Sequence, residues 1–263
     1  MSVIRSRENA RLKAWARLAD DPRERRKQGV ALLEGVHLVE SYIATGRMPA
    51  CLIVAESALV HPEVTILMAR AGGTPFVLAD ALFKRISDAD APVGIAAEIA
   101  IPVMEFDPAE SAGCVFMDGI QDAGNVGTIL RSAAAFGICD AVFGPGCADP
   151  WSSKVLRAGM GAHFQLRITA SSDLASSVRR FGADSVCTDV REGTPIDATD
   201  LKGRIGWVFG SEGAGVSAGV AMATTRRVTV PMPGGVESLN VAACAAVCFY
   251  ERARQVSRRG ARV

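Results

Sequence analysis

Phe209-Gly210-Ser211-Glu212-Gly213-Ala214-Gly215-Val216-Ser217 is followed shortly by Pro231-Met232-Pro233-Gly234-Gly235-Val236-Glu237-Ser238-Leu239-Asn240. Each stretch is a glycine-rich turn after a short apolar run, and each leads into a segment of helical pattern. The runs before them, residues 205–209 and 228–230, read as strands. Residues 216–223 and 241–253 read as helices. Two such turns close together in sequence predict two walls of one small-molecule pocket, because ligands in open α/β sheets sit beyond the carboxyl ends of the strands.

Working outward, Cys114-Val115-Phe116-Met117 reads as a strand that runs into a polar loop, residues 118–124. A helix follows over 126–136 with Asn125 as its expected N-cap. Strands are expected at 141–143, near 164–166 and at 185–188, with helices at 152–157 and 174–181. These strands are short apolar runs without alternation, the pattern of a parallel sheet covered on both faces. Residues 101–112, with two prolines and several acids, read as a linker. The N-terminal part alternates strands (30–33, 51–54, 76–78, 93–99) with helices and forms its own α/β set. It opens on a basic helix over 6–19 with Leu12, Trp15 and Leu18 on one stripe, ended by Asp20-Asp21-Pro22.

The 263 residues are 49% hydrophobic and 22% charged, enough apolar surface to bury a sizeable core. No apolar run is long enough to span a bilayer, and Met1-Ser2-Val3-Ile4-Arg5 carries no apolar signal-peptide core. The expectation is a cytoplasmic protein without a membrane segment. The seven cysteines form no Cys-x-x-Cys pair and most sit among apolar residues, so they read as reduced core thiols. Three histidines, His37, His61 and His163, lie far apart, and no metal site is expected. The net charge is only +1, but the basic residues gather at the two ends. Residues 5–29 hold Arg5, Arg7, Arg11 and Lys13 among others, and the tail carries Arg252, Arg254, Arg258, Arg259 and Arg262. That distribution suits contact with a polyanion, and equally suits solvated helix faces.

Several chemistries are disfavoured. Gly213-x-Gly215-x-x-Ala218 is a dinucleotide-like spacing, but it lies late in the domain and no acid ends the following strand to hold a ribose. Ser211 has Phe209 two residues before it, where a hydrolase elbow needs glycine. No phosphate loop with its Gly-Lys-Ser/Thr ending is present. What remains on the glycine loops is Asn125, Arg131, Ser211, Glu212, Ser238 and Asn240, with no histidine or cysteine among them. Such a set suits a reaction whose electrophile arrives already activated and mainly needs orientation, as in methyl transfer from a sulfonium. Read alone, Asn125 and Asn240 also suit helix caps, and Arg131 and Glu212 suit solvated surface.

Three segments carry a more specific signal: Asn125-Val126-Gly127-Thr128-Ile129-Leu130-Arg131, Gly210-Ser211-Glu212-Gly213-Ala214-Gly215, and Val230-Pro231-Met232 through Ser238-Leu239-Asn240-Val241-Ala242. With Lys154-Val155-Leu156-Arg157-Ala158-Gly159-Met160-Gly161-Ala162 between them, they resemble, in order and spacing, the SpoU/TrmH family of RNA ribose 2′-O-methyltransferases of the SPOUT superfamily. Leu33-Glu34-Gly35 with His37-Leu38-Val39, and Ile86-Ser87-Asp88 with Pro92-Val93-Gly94-Ile95, are similar to that family's N-terminal substrate-binding domain.

The resemblance implies a small N-terminal α/β substrate-binding domain over 1–100, a linker over 101–112, and over 113–263 a parallel-sheet α/β domain with a trefoil knot, an exception to the rule against threaded chains. It implies S-adenosyl-L-methionine as cofactor, held in a bent shape by Gly210, Ser211, Gly213, Val230, Met232, Ser238 and Leu239. Asn125, Arg131, Glu212 and Asn240 become the expected catalytic residues. The implied substrate is a ribose 2′-hydroxyl of RNA, rRNA of the 23S type first and tRNA second. The implied assembly is a homodimer in which Arg131 reaches toward the donor site of the other subunit. Arg157, Arg5, Arg7 and Arg11 are candidates for phosphate contacts. The alternative is a non-catalytic RNA-binding or ribosome-assembly protein that keeps the fold.

Overall fold

The computed structural model describes residues 2–189 and 192–260, and for 258–260 the backbone path alone. The chain forms two compact units, one of Met1–Val103 with Asp149–Phe164, the other of Met104–Ala148 with Gln165–Val263. The segment 149–164, which the sequence places inside the C-terminal span, therefore clusters with the N-terminal unit.

The chain begins with β1 (Val3–Ile4), α1 (Ala10–Asp20), α2 (Pro22–Gln28), β2 (Val30–Glu34), α3 (Val36–Ala44), β3 (Cys51–Ala55), α4 (Pro62–Ala71), β4 (Phe76–Leu78), α5 (Asp80–Phe83) and β5 (Ile95–Ala100). The sheet order is β1-β4-β3-β5-β2. β1, β4 and β3 run parallel, whereas β5 is antiparallel to both β3 and β2. Helix α1 starts at Ala10 rather than near residue 6, because Asn9 Oδ1 accepts from Arg11 N and Leu12 N. Leu12, Trp15 and Leu18 are buried, as their stripe predicts. Pro22 does end α1, but it also occupies the first turn of a second helix capped by Asp21, whose Oδ1 accepts from Arg23 N at 2.8 Å.

The chain continues with β6 (Cys114–Asp118), α6 (Ala123–Ala135) and β7 (Asp140–Phe143) in the second unit. It then gives α7 (Ser153–Gly159) to the first unit, where α7 packs on β2. A buried ion pair fixes this segment: Arg25 Nε donates to Asp149 Oδ2 at 2.7 Å, and Nη1 donates to Leu18 O and Ala19 O. Arg25→Ala leaves the largely buried Asp149 carboxylate without its ion-pair partner, with Trp151 N still donating to its Oδ1. It is expected to cost about 3–5 kcal/mol of stability, read as the shift of the urea midpoint. An unshifted midpoint contradicts this pairing. The strand expected near 164–166 is instead a single 3-10 turn, Ala162–Phe164. Phe164 packs edge-on against Tyr42 of α3, with ring centroids 5.3 Å apart.

The rest of the second unit is β8 (Arg167–Ala170), α8 (Leu174–Phe181), β9 (Asp184–Thr188), β10 (Thr194–Pro195), β11 (Ile205–Gly210), α9 (Ala218–Ala221), β12 (Arg226–Thr229) and α10 (Val241–Gly260). Its seven strands are all parallel, in the order β10-β12-β9-β11-β6-β7-β8. The fold is thus the α/β architecture with a parallel sheet that the sequence predicts. β11 is buried along its whole length, and its alternate side chains serve two cores. Val208 joins Phe116, Val178, Phe181 and Val220 on one face. Trp207 and Phe209 pack against Phe249 of α10 on the other, at 6.0 and 5.7 Å. Gly206 makes the first face possible: a Cβ there would lie 2.8 Å from the Phe116 ring and 3.0 Å from Phe181.

Candidate active site

Three loops at the carboxyl ends of β6, β11 and β12 meet in the second unit. One follows β6 into α6, one follows β11, and one runs from β12 into α10. The helix after β6 begins earlier than the sequence suggests. Asp122, not Asn125, is its N-cap, and Asp122 Oδ1 accepts from Asn125 N at 2.7 Å. Asn125 stands in the first turn with its amide free of capping duty.

That amide joins the other two loops. Asn125 Nδ2 donates to Glu212 Oε1, and Asn240 Nδ2 donates to Asn125 Oδ1 at 2.9 Å. Asn240 Oδ1 accepts from Ala242 N at 2.9 Å and Ala243 N at 3.2 Å, so Asn240 also caps α10. The direction of this string is fixed by chemistry. An ionised Glu212 only accepts, so Asn125 must turn its NH2 toward it. The Asn125 oxygen then faces Asn240, which must donate, leaving the Asn240 oxygen for the helix N–H groups.

The loop after β11 is held at both ends. Gly210 pairs with Asp118 across β6, and Asp118 Oδ2 accepts from Ser217 N at 2.7 Å. Within it, Gly215 N donates to Ser211 O at 2.8 Å, so the chain doubles back on Gly210. The need for glycine at 210 therefore arises from the chain itself. A Cβ at Gly210 would lie 2.1 Å from the Gly215 carbonyl and 2.2 Å from Val216 N.

These loops enclose a cavity of about 240 Å³. Gly210, Ser211, Glu212, Val230, Met232, Ser238, Leu239 and Asn240 line it, all singled out from the sequence. Asn125 reaches it through Glu212 and Asn240. Gly213 and Arg131 are not among its walls. Arg131 is exposed on α6, and its guanidinium makes no hydrogen bond or ion pair with another described residue. The sequence reading missed Thr188, Asp189, Thr229, Val216, Val241 and Cys244, which also line the cavity. Cys244 and Cys248 lie one turn apart on α10. Hydrogen bonding to Cys248, aided by Thr188, holds the Cys244 thiol below its ordinary pKa, while hydrogen bonding to Cys244 and burial push Cys248 up. The other thiols fit the core reading less uniformly: Cys114 and Cys187 are buried, but Cys139 is exposed.

The candidate phosphate contacts are largely partnered. Arg5 pairs with Glu56 at 2.6 Å, Arg157 with Asp88 at 3.0 Å, and the Arg11 guanidinium lies 4.2 Å over the Phe76 ring. Arg7 is exposed. In the tail, Arg254 pairs with Glu251, and Arg262 lies outside the described residues. A larger cavity, about 530 Å³, lies in the first unit beside Arg11, Trp15, Phe76 and Glu98; of the expected residues only the candidate phosphate contact Arg11 lines it, and none of the expected catalytic or cofactor-binding ones. Among the described residues, no helix is long and apolar enough to cross a membrane, and no group of three or more His, Cys, Asp or Glu side chains could hold a metal.

A parallel α/β sheet whose three loops are tied by a Glu-Asn-Asn string beside a cavity is the arrangement of a small-molecule site at the carboxyl ends of strands. The chain belongs to the SpoU rRNA methylase family, whose pattern matches residues 113–250, and residues 9–97 match the MRM3-like substrate binding domain. It is 30% identical to the 23S rRNA (guanosine(2553)-2′-O)-methyltransferase RlmP of Bacillus subtilis over 95% of this chain and 98% of that protein. It is 28% identical to mouse mitochondrial rRNA methyltransferase 3, covering 88% of this chain and 69% of that one. Among solved structures, an RNA 2′-O ribose methyltransferase superposes with a TM-score of 0.80 at 29% identity, covering 97% of this chain and 99% of its own. The SpoU methyltransferase AviRb from Streptomyces viridochromogenes, solved with AdoMet, shares the fold with a TM-score of 0.83 at 24% identity, over 95% of this chain and 100% of its own.

Proposed function

We propose that this protein transfers the methyl group of S-adenosyl-L-methionine to a ribose 2′-hydroxyl of rRNA, in the cytoplasm. The observation that carries the reading is the string Glu212–Asn125–Asn240, which ties all three loops together at the rim of the cavity. The cavity suits an adenosyl donor in kind. Val216, Val230 and Leu239 offer apolar walls for a flat base, and Ser211, Thr188 and Ser238 offer hydroxyls for polar groups. The donor brings an electrophile that is already activated, so the chain's own residues orient the acceptor and receive its proton.

Arg131 is the residue for positioning the acceptor. Its guanidinium is a poor base, since its pKa lies above about 12, but it grips phosphate and ribose oxygens well. Loss of the 2′-hydroxyl proton falls late in the transfer, helped by Glu212, Asn125 or a neighbouring RNA phosphate. Arg131 lies outside the cavity of its own chain and on α6, which packs with α10. Val247 and Tyr250 of α10 are exposed large apolar side chains. This supports a homodimer through α6 and α10 in which each Arg131 serves the partner subunit's donor site. Residues 1–100 then bind RNA, 101–112 link, and the knotted 113–263 region carries the chemistry.

Arg131→Ala is expected to lower methyl transfer by about 100-fold or more while leaving donor affinity within about twofold, as an interaction made only with the acceptor should. Calorimetry with S-adenosylhomocysteine beside a turnover assay reads both. An equal loss of donor binding contradicts this role. The function itself is tested by incorporation of tritiated methyl groups into unmodified rRNA. Donor binding without incorporation into any RNA favours a protein that keeps the fold without the activity.

A further inference from the structure

A nucleotide-binding sheet commonly holds the ribose with an acid at the end of the strand that follows its glycine loop. Here the strand that follows the glycine loop in sequence is β12, and it runs through Thr229-Val230 into Pro231 without an acid. Sequence order, however, is not sheet order. The order β12-β9-β11 places β9 between the two strands whose loops form the cavity, although β9 precedes both in the chain. β9 ends at Thr188, and the next residue is Asp189.

Asp189 lines the cavity beside Thr188, Gly210, Thr229 and Leu239. Its position is well fixed. Its backbone N–H donates to Val228 O at 2.9 Å, its Oδ1 accepts from Glu192 N at 3.1 Å, and its Oδ2 lies 3.7 Å from Arg227 Nη1. A carboxylate has about four acceptor positions, so an oxygen that already accepts from the backbone can accept again. The side chain is one-third exposed, at 33%. Asp189 and Glu212 are the acids on the cavity wall: Asp189 follows β9, and Glu212 lies in the loop after β11 beside Asn125.

We propose that Asp189 accepts hydrogen bonds from the ribose hydroxyls of the bound adenosyl group and so selects ribonucleoside over deoxyribonucleoside donors. The inference rests on the donor reading given above and goes beyond it by assigning the ribose to one side chain. Asp189 is then a specificity-determining residue, placed by a strand crossover rather than by the glycine motifs.

The test is a set of six binding measurements by calorimetry on the full chain. The ligands are S-adenosylhomocysteine and its 2′,3′-dideoxy analogue, and the proteins are the wild type and Asp189→Asn, with Asp189→Ala as a second variant. A charge-assisted hydrogen bond predicts that the wild type prefers the ribose ligand by about tenfold or more. The variants should weaken the ribose ligand alone and bring the ratio near one, with the dideoxy ligand bound as in the wild type. A wild-type ratio near one, a ratio that the variants leave unchanged, or an equal loss for both ligands overturns the assignment. If wild-type protein binds neither ligand, the donor reading itself falls, and the assignment with it.

Discussion

Gly210→Ala is expected to destroy the proposed donor site. The methyl group would sit 2.1 Å from the carbonyl of Gly215, and the obstacle is backbone on every side, with no flexible side chain to swing away. The backbone cannot retreat easily either. Gly210 closes a fully buried strand paired with Asp118, and Asp118 also holds Ser217 at the far end of the loop. Relief requires breaking the Ser211–Gly215 closure or the β6–β11 register. Overpacking of this kind costs about 1–3 kcal/mol in a core that can shift, and a rigid backbone contact belongs at or above the upper end. Affinity for S-adenosylhomocysteine should fall by about 100-fold or more, with a lower thermal midpoint. A Gly210→Ala protein that binds donor normally would show that the loop does not double back as described.

The second large effect is expected at Asn125. Asn125→Asp conserves shape but reverses the logic of the string. The side chain can no longer donate to Glu212, and two carboxylates face each other at hydrogen-bond distance. Like charges so placed cannot both stay ionised, so one carboxyl pKa rises. At neutral pH the loops after β6 and β11 are expected to part, and methyl transfer to fall by about 100-fold or more, the scale of losing a group that orients the reaction. The sign of the pH dependence is specific. As pH falls, one of the two carboxyls takes up a proton and can donate again, so the variant should recover activity toward acid pH relative to the wild type. Parallel pH–rate profiles contradict the string, whereas a crossing profile supports it.

Particular residues show what can be read from a linear sequence. β6, β11, α3 and α8 were legible because a continuous apolar run or a clean stripe leaves few alternatives. Helix α2 was not: Pro-Arg-Glu-Arg-Arg-Lys-Gln has no apolar period, and its helical state rests on the Asp21 cap and on burial of Arg25. Asparagine before an apolar run is a good cap, so the sequence favours Asn125 for that role. Asp122, three residues earlier, took that role and released the amide for the site. Phe164 looked like part of a strand because its burial against Tyr42 depends on the chain returning to the first unit. Thr188 and Asp189 stayed hidden for a topological reason: nothing local to β9 says that it will lie between β11 and β12. The polar residues of the cavity wall were mostly legible, because each follows a strand end that glycine or proline marks.

The most direct measurement is methyl transfer itself, with the full chain, S-adenosylmethionine carrying a tritiated methyl group, and 23S rRNA transcribed without modifications. The account predicts incorporation at a ribose 2′-oxygen, seen as resistance of one phosphodiester to alkaline cleavage, and its loss in Arg131→Ala and Asn125→Asp at neutral pH. Incorporation into a base, or none into rRNA under conditions where S-adenosylhomocysteine binds, would contradict it.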